Sequence, residues 1–206
     1  NIVYLCKKID FSMVNVAIFA SGNGSNAENI ANYFSDNNNI SITLIVSNKS
    51  DAYVHERAKK LRIPSVSFNK IEFADGIKIL KTLKDYKIDF IVLAGFLLKV
   101  PDSILESYPE SIINIHPALL PKHGGKGMYG DRVHQAVKNA GDLETGITIH
   151  YINENYDEGD IIFQSFCDVL LEDTPDDIAN KVHALEYEHY PKIIEKTIKN
   201  YFSKTG

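Results

Sequence analysis

Val14-Asn15-Val16-Ala17-Ile18-Phe19-Ala20-Ser21-Gly22-Asn23-Gly24-Ser25-Asn26-Ala27 is the stretch whose reading decides the fold. Residues 14–20 are a short apolar run of strand formers, residues 21–26 a turn of small and polar residues, and helical spacing then runs to residue 34. Gly22, Gly24 and Ala27 fit the G-x-G-x-x-G/A pattern. Its glycines let the backbone approach an anion, and the helix N-terminus supplies free N–H donors and positive potential. A nicotinamide dinucleotide would also need an acid at the end of the second strand to hold its ribose. Ser47-Asn48-Lys49 stands there instead, with no acid before Asp51, so a phosphate monoester suits the turn better. A tight turn with no ligand is the plainer alternative, although Ser25 and Asn26 add side-chain donors that a mere turn does not need.

Working outward, apolar runs at 40–46, 66–68, 90–94, 111–115, 146–152 and 160–169 predict strands. Helical spacing covers 53–61, 71–86 (through Ile77, Leu80 and Leu83), a short piece after Pro101, and 132–139. A last helix opens at Thr174-Pro175-Asp176-Asp177 and runs past Ile178, Val182 and Leu185 to Ile194. Its start carries an N-cap threonine, proline at the first helical position, and acids facing the positive dipole end. Continuously apolar strands such as 90–94 are covered on both faces. Strand–helix alternation therefore predicts an α/β fold, a doubly wound and mostly parallel sheet with helices on both faces. With no internal repeat, low-complexity segment or linker, residues 13–206 read as one domain. In residues 1–12, Val3-Tyr4-Leu5-Cys6 is too short for a signal-peptide core and Lys7-Lys8 follow it. That segment reads as a dispensable N-terminal extension.

The 206 residues are 44% hydrophobic and 24% charged with a formal net charge of −5, an ordinary globular composition. Modest negative charge, with no basic cluster longer than Lys7-Lys8 or Lys59-Lys60, argues against nucleic-acid and membrane-surface partners. No apolar stretch approaches the roughly 20 residues that span a bilayer. Cys6 and Cys167 are far apart and form no CxxC, which fits neither a disulfide framework nor a zinc site and points to a reducing cytoplasm. Cys167 closes the apolar run 161–167 and reads as an inert core thiol. His55, His123, His134, His150, His183 and His189 show no metal-ligand spacing, and no metal is expected.

Asn114-Ile115-His116-Pro117 ends a predicted strand, the place where open α/β sheets bind ligands. Two residues apart on a strand, Asn114 and His116 project to one face. A neutral amide donor beside a titratable imidazole suits a developing oxyanion, although a satisfied structural histidine reads as well from these residues alone. The polar loop Asn155-Tyr156-Asp157-Glu158-Gly159-Asp160 joins two strands. Asp157 gains interest only if it reaches His116.

Taken together, Ser21-Gly22-Asn23-Gly24-Ser25-Asn26, Val46-Ser47-Asn48-Lys49, Leu93-Ala94-Gly95-Phe96, residues 114–122 and the Asp157 loop resemble the glycinamide ribonucleotide transformylase (phosphoribosylglycinamide formyltransferase) family, over nearly everything after Met13. The resemblance implies a Rossmann-like formyltransferase domain that moves a formyl group from 10-formyltetrahydrofolate, as co-substrate, to the amine of 5-phosphoribosylglycinamide in purine synthesis. It implies that Gly24, Ser25 and Asn26 hold the phosphate while His183 and Glu186 face the ribosyl glycinamide. Leu97, Leu98, Lys99, Val100, Asn114, Asn153, Glu154, Asn155, Tyr156 and Asp157 would line the folate pocket, largely by backbone. Asn114, His116 and Asp157 would be the catalytic set. Asp157 would raise the His116 pKa, so that a protonated His116 and the Asn114 amide donate to the oxyanion, and Asp157, directly or through water, would take the proton leaving the amine. Two departures stand out: the segment 68–75 lacks an arginine that some relatives place beside the folate, leaving Lys70 there, and the loop 123–131 is long. Formyltetrahydrofolate hydrolase, methionyl-tRNA formyltransferase and sugar-amine formyltransferases are the nearest rivals. The first two usually carry an extra domain for which 206 residues leave no room. A nucleotide-binding module without catalysis is the rival of another class. The assembly state stays open, a homodimer included.

Overall fold

In chain order the elements are β1 (Val14–Phe19), α1 (Ser25–Tyr33), β2 (Ile40–Ser47), α2 (Val54–Leu61), β3 (Ser65–Ser67), α3 (Lys70–Asp75) and α4 (Ile77–Asp85). Then follow β4 (Phe90–Leu93), α5 (Asp102–Ser107), β5 (Ile112–His116), α6 (Asp131–Ala140), β6 (Glu144–Tyr151), β7 (Ile161–Asp168) and α7 (Pro175–Thr205). A computed structural model of the protein describes residues 13–205, so the extension expected at 1–12 lies outside the described residues. The strands form a seven-stranded sheet of order β3-β2-β1-β4-β5-β6-β7. The first five strands of that order pair in parallel; β6 pairs antiparallel with β5, and β7 antiparallel with β6. Strand order reverses between β1 and β4, which places the ligand crevice of such a sheet at their carboxyl ends.

The doubly wound expectation is met, with two local differences. Residues 71–86 form two helices rather than one. Gly76 interrupts them at φ 74, a left-handed conformation that glycine adopts without strain. A side chain there would also collide with the Ser103 hydroxyl. Asn69 starts α3 with a reciprocal capping box to Glu72. The last helix, expected to Ile194, continues to Thr205 with Pro191 inside it. Proline removes the N–H that would bond the carbonyl four residues back. That carbonyl, of Tyr187, instead accepts the Asn29 side-chain amide of α1 at 3.0 Å.

Alternate residues feed two cores. Val16, Ile18, Val92, Ile113, Ile115, Ile147 and Ile149 pack against Ile30 of α1, Val54 of α2, Val137 of α6, and Ile178, Val182 and Ile194 of α7. Ala17, Phe19, Leu44, Ile91, Leu93 and Ile112 pack against Phe73, Ile79, Leu83 and Ile104 of α3, α4 and α5. Asn114 and His116 share the face of Ile112. There the helical cover stops, and the loops 117–130 and 152–160 lie near the polar residues of β5 and β6.

Candidate active site

A cleft of about 760 Å3 opens at the carboxyl ends of β1, β4 and β5. Residues 22–26, 94–99, 114–117 and 125–130 line it, together with Lys70, Phe73, Arg132, His134, Tyr156, Asp157, His183 and Glu186. At one end lies the glycine turn. The first i→i−4 bond of α1 runs from the Glu28 N–H to the Gly24 carbonyl, so the N–H groups of Ser25, Asn26 and Ala27 precede the helical ladder. Gly24 sits at φ 77 with Val54 of α2 packed against it, so both backbone conformation and packing require a glycine there. Outside the turn, Arg57 donates to the Asn23 carbonyl (2.9 Å) and to its side-chain oxygen (2.6 Å), and pairs with Glu28.

The long last helix reaches this turn. Glu186, buried, accepts from Asn26 Nδ2 at 2.8 Å. Burial pushes its carboxyl above the usual carboxylate range, partly offset by the Asn26 hydrogen bond. One N–H of Asn26 is thus committed to Glu186. His183 lines the same wall, its ring set edge-on at 6.2 Å to that of His134.

At the centre, Asn114 and His116 emerge side by side from β5. His116 is 3% exposed. Its Nε2 lies 2.8 Å from the His123 carbonyl and so carries a proton, while Nδ1 lies 3.5 Å from Asp157 Oδ2. Asp157 is therefore brought to His116, and its Oδ2 also accepts the Gly125 N–H at 2.9 Å. Asp157 raises the His116 pKa as expected, but it is not the larger influence on that ring. Burial lowers the His116 pKa by more than the Asp157 charge raises it, so the resting imidazole is neutral at neutral pH.

The third wall is the segment after β4. The Leu97 N–H donates to Ser21 Oγ at 2.9 Å and the Ser21 N–H to the Gly95 carbonyl at 3.0 Å, tying this segment to the glycine turn. Phe96 packs edge to face on Phe19 and against Phe73, making an apolar side. Leu97, Leu98, Lys99, Tyr156 and Asp157 line the cleft, as does Lys70. Val100 does not; it is buried in the core beside α5. Asn153, Glu154 and Asn155 also stay off the lining: the Asn153 side chain turns back to the Asn155 N–H at 2.9 Å.

Sequence reasoning missed His150. It pairs across the strands with Asn114. Its Nδ1 donates to the Tyr151 carbonyl at 2.7 Å, leaving Nε2 to accept Asn114 Nδ2 at 3.1 Å. Burial lowers its pKa and keeps it neutral, so it aims the amide without competing for charge. The register of β5 and β6 could have found it; its position in the sequence could not. His134 was also passed over: it is buried against the cleft, its pKa lowered to about 4 by burial and by His183. Among the described residues no three His, Cys, Asp or Glu side chains gather as a metal set. Nor is any helix of the described residues long and apolar enough to cross a membrane.

The crevice thus joins a glycine turn at one end to an amide–imidazole–carboxylate set at its centre. Residues 14–194 match the formyl transferase family, and the chain belongs to that family. Within it, the chain is 40% identical over 185 residues to the chloroplastic phosphoribosylglycinamide formyltransferase of Arabidopsis thaliana, covering 87% of this chain and 63% of that protein. It is 37% identical over 193 residues to phosphoribosylglycinamide formyltransferase of Bacillus subtilis, covering 90% of this chain and 95% of that one. The crystal structure of phosphoribosylglycinamide formyltransferase from Streptococcus pneumoniae superposes with a TM-score of 0.80 at 35% identity, covering 90% of this chain and 99% of that one. The chain thus spans less than two thirds of the Arabidopsis protein's length.

Proposed function

We propose that the chain transfers a formyl group from 10-formyltetrahydrofolate to the amine of 5-phosphoribosylglycinamide, acting in the cytoplasm through one domain, residues 13–206. The observation that carries this reading is the meeting in one cleft of the anion turn at 22–26, the trio Asn114, His116 and Asp157, and the apolar segment 95–98. Ser25 and the free N–H groups of α1 hold the phosphate; Glu186 and His183 face the sugar and its amide arm. The folate lies along residues 96–99 with Lys70 at the rim.

The uncharged amine attacks the formyl carbon, forming the new C–N bond as the carbonyl pair moves onto oxygen. The second N–H of the Asn114 amide donates to that oxyanion. The nitrogen's surplus proton passes to His116 Nδ1, and Asp157 stabilises the imidazolium so formed. As the carbonyl re-forms, the bond to the folate nitrogen breaks and His116 returns the proton to it. No covalent enzyme intermediate is required. The test presents purified protein and 10-formyltetrahydrofolate with 5-phosphoribosylglycinamide, water alone, methionyl-tRNA and an amino sugar, following folate absorbance. Rapid turnover with 5-phosphoribosylglycinamide only is expected. Preference for any of the others overturns the assignment.

A further inference from the structure

Behind the cleft stands a group that no step above uses. His123 Nε2 donates to Asp142 Oδ2 at 2.6 Å, and Lys122 Nζ lies 3.2 Å from the other oxygen. The His123 contact, first, and Lys122 hold the Asp142 carboxyl below the usual carboxylate range, so it is an anion at neutral pH. Asp142 and His123 do not line the large cleft; they border a separate cavity of about 80 Å3 with Leu119, Lys122, Glu144 and Thr145. Neither side chain lies where it could touch a ligand in the cleft.

Their influence reaches the cleft through the backbone. His123 has φ 53, a left-handed conformation that costs a non-glycine residue on the order of 1 kcal/mol or more and persists only when its surroundings impose it. In that conformation its carbonyl accepts the His116 Nε2–H at 2.8 Å, and two residues on the Gly125 N–H reaches Asp157 Oδ2 at 2.9 Å. One three-residue segment therefore orients both His116 and Asp157. Asp142 follows directly on the C-cap of α6, so the anchor is fixed to the body of the fold.

We propose that Asp142 and His123 are a positioning pair for His116, fixing Nε2 as the nitrogen that keeps its proton and Nδ1 as the one that exchanges protons in the cleft. The hydrogen bond made by one ring nitrogen decides the state of the other. A 2.8 Å contact with a carbonyl is attractive only with Nε2 protonated, in the neutral ring and the cation alike. The exchanging nitrogen is then held opposite Asp157. Without the pair, the His123 backbone relaxes, and the neutral ring divides between its two tautomers. The catalytic consequence rests on the function proposed above; the tautomer itself does not.

The experiment is 15N NMR of ligand-free protein, with parent, Asp142→Ala, Asp142→Asn, His123→Ala and His123→Gln compared. In the parent, His116 should show a protonated Nε2 and an unprotonated Nδ1. Asp142→Ala and His123→Ala should give a mixture of tautomers and lower kcat on the order of tenfold or more, with KM for both substrates within about twofold. Asp142→Asn and His123→Gln, which keep an acceptor or donor at the same reach, should restore the parent tautomer and most of kcat. An unchanged His116 tautomer in both alanine variants overturns the proposal, as does a parent with Nδ1 protonated. If an alanine variant fails to fold, the milder pair still decides: parent-like folding with a scrambled tautomer and no rescue counts against it. A parent with no formyl-transfer activity sinks the functional reading and leaves the tautomer result standing by itself.

Discussion

Asp157→Asn removes one charge from the centre of the site while keeping its shape. The parent carboxylate sits 3.5 Å from His116 Nδ1, accepts the Gly125 N–H at 2.9 Å and lies 3.7 Å from His150. An asparagine oxygen can still accept from Gly125, so the loop is expected to hold. At that separation, with an effective dielectric of about 20, a full ion pair is worth on the order of 5 kcal/mol. Cleft water and the shared Gly125 hydrogen bond reduce what the imidazolium loses to roughly 2–3 kcal/mol, or about a hundredfold in turnover. The sign of the pH effect follows from the two opposed causes acting on His116. Burial lowers its pKa and Asp157 raises it; without Asp157 the titration moves further below the ordinary histidine value. The acid limb of kcat should therefore shift to lower pH while its plateau falls. His116→Ala in the Asp157→Asn background should cost far less than in the parent, because residues acting as a unit are not additive. Steady-state turnover of the four proteins, with histidine titration by NMR, measures this. Additive losses and an unmoved His116 titration would refute the reasoning and return both residues to structural roles.

Glu186→Gln should raise KM for 5-phosphoribosylglycinamide roughly tenfold with KM for the folate unchanged, as expected of a residue that binds but does not react. Because burial raises the Glu186 pKa, the parent loses stability as pH rises through the shifted value, and Glu186→Gln should flatten that limb in denaturant unfolding. His134, lowered to about 4, acts on the other side: its contribution is intact above the ordinary histidine value and is lost as pH falls toward about 4. Urea unfolding of His134→Asn should recover on the order of 1–2 kcal/mol of the acid-side loss, and an unchanged acid limb would contradict the burial. Deletion of residues 1–12 should leave turnover within about twofold, measured alongside the melting temperature.

The fold was legible where hydrophobic period and punctuation agree. Residues 14–34 contain strand, glycine turn and helix in a pattern that local sterics and dipoles nearly dictate, and the strands appear within a residue or two of expectation. The break at Gly76 was less legible, because one glycine in a helical pattern costs only about 1 kcal/mol, and the Ser103 contact that makes it necessary comes from another element. In the site, Asn114 and His116 could be paired from their spacing on one strand. The protonation state of His116 could not. Sequence supplies the charge of Asp157 but not the burial that outweighs it. The same holds for the wall expected to meet the folate: residues 97–99 follow a strand end and line the cleft, whereas the side chain of Val100 turns into the core and that of Asn153 folds back on its own loop.

The reversal of direction after β5 explains why so many neutral histidines gather here. A further parallel strand would need a helical crossover on one face, and that cover would close over Asn114 and His116. Antiparallel β6 instead sets Thr148 opposite His116 and His150 opposite Asn114. With no helix above, the floor can be polar, but each polar group must then find a partner within the sheet or its loops. Thr148 donates to the Ala118 carbonyl and accepts the Leu120 N–H, holding the segment after His116. His150 is satisfied by Asn114 and the Tyr151 carbonyl, His116 by the His123 carbonyl. Neutral imidazoles suit such a floor because each supplies one donor and one acceptor without the desolvation cost of a second charge. Asp157 is left as the carboxylate facing them, and under the proposed transfer the charge that forms on His116 is the one it would stabilise.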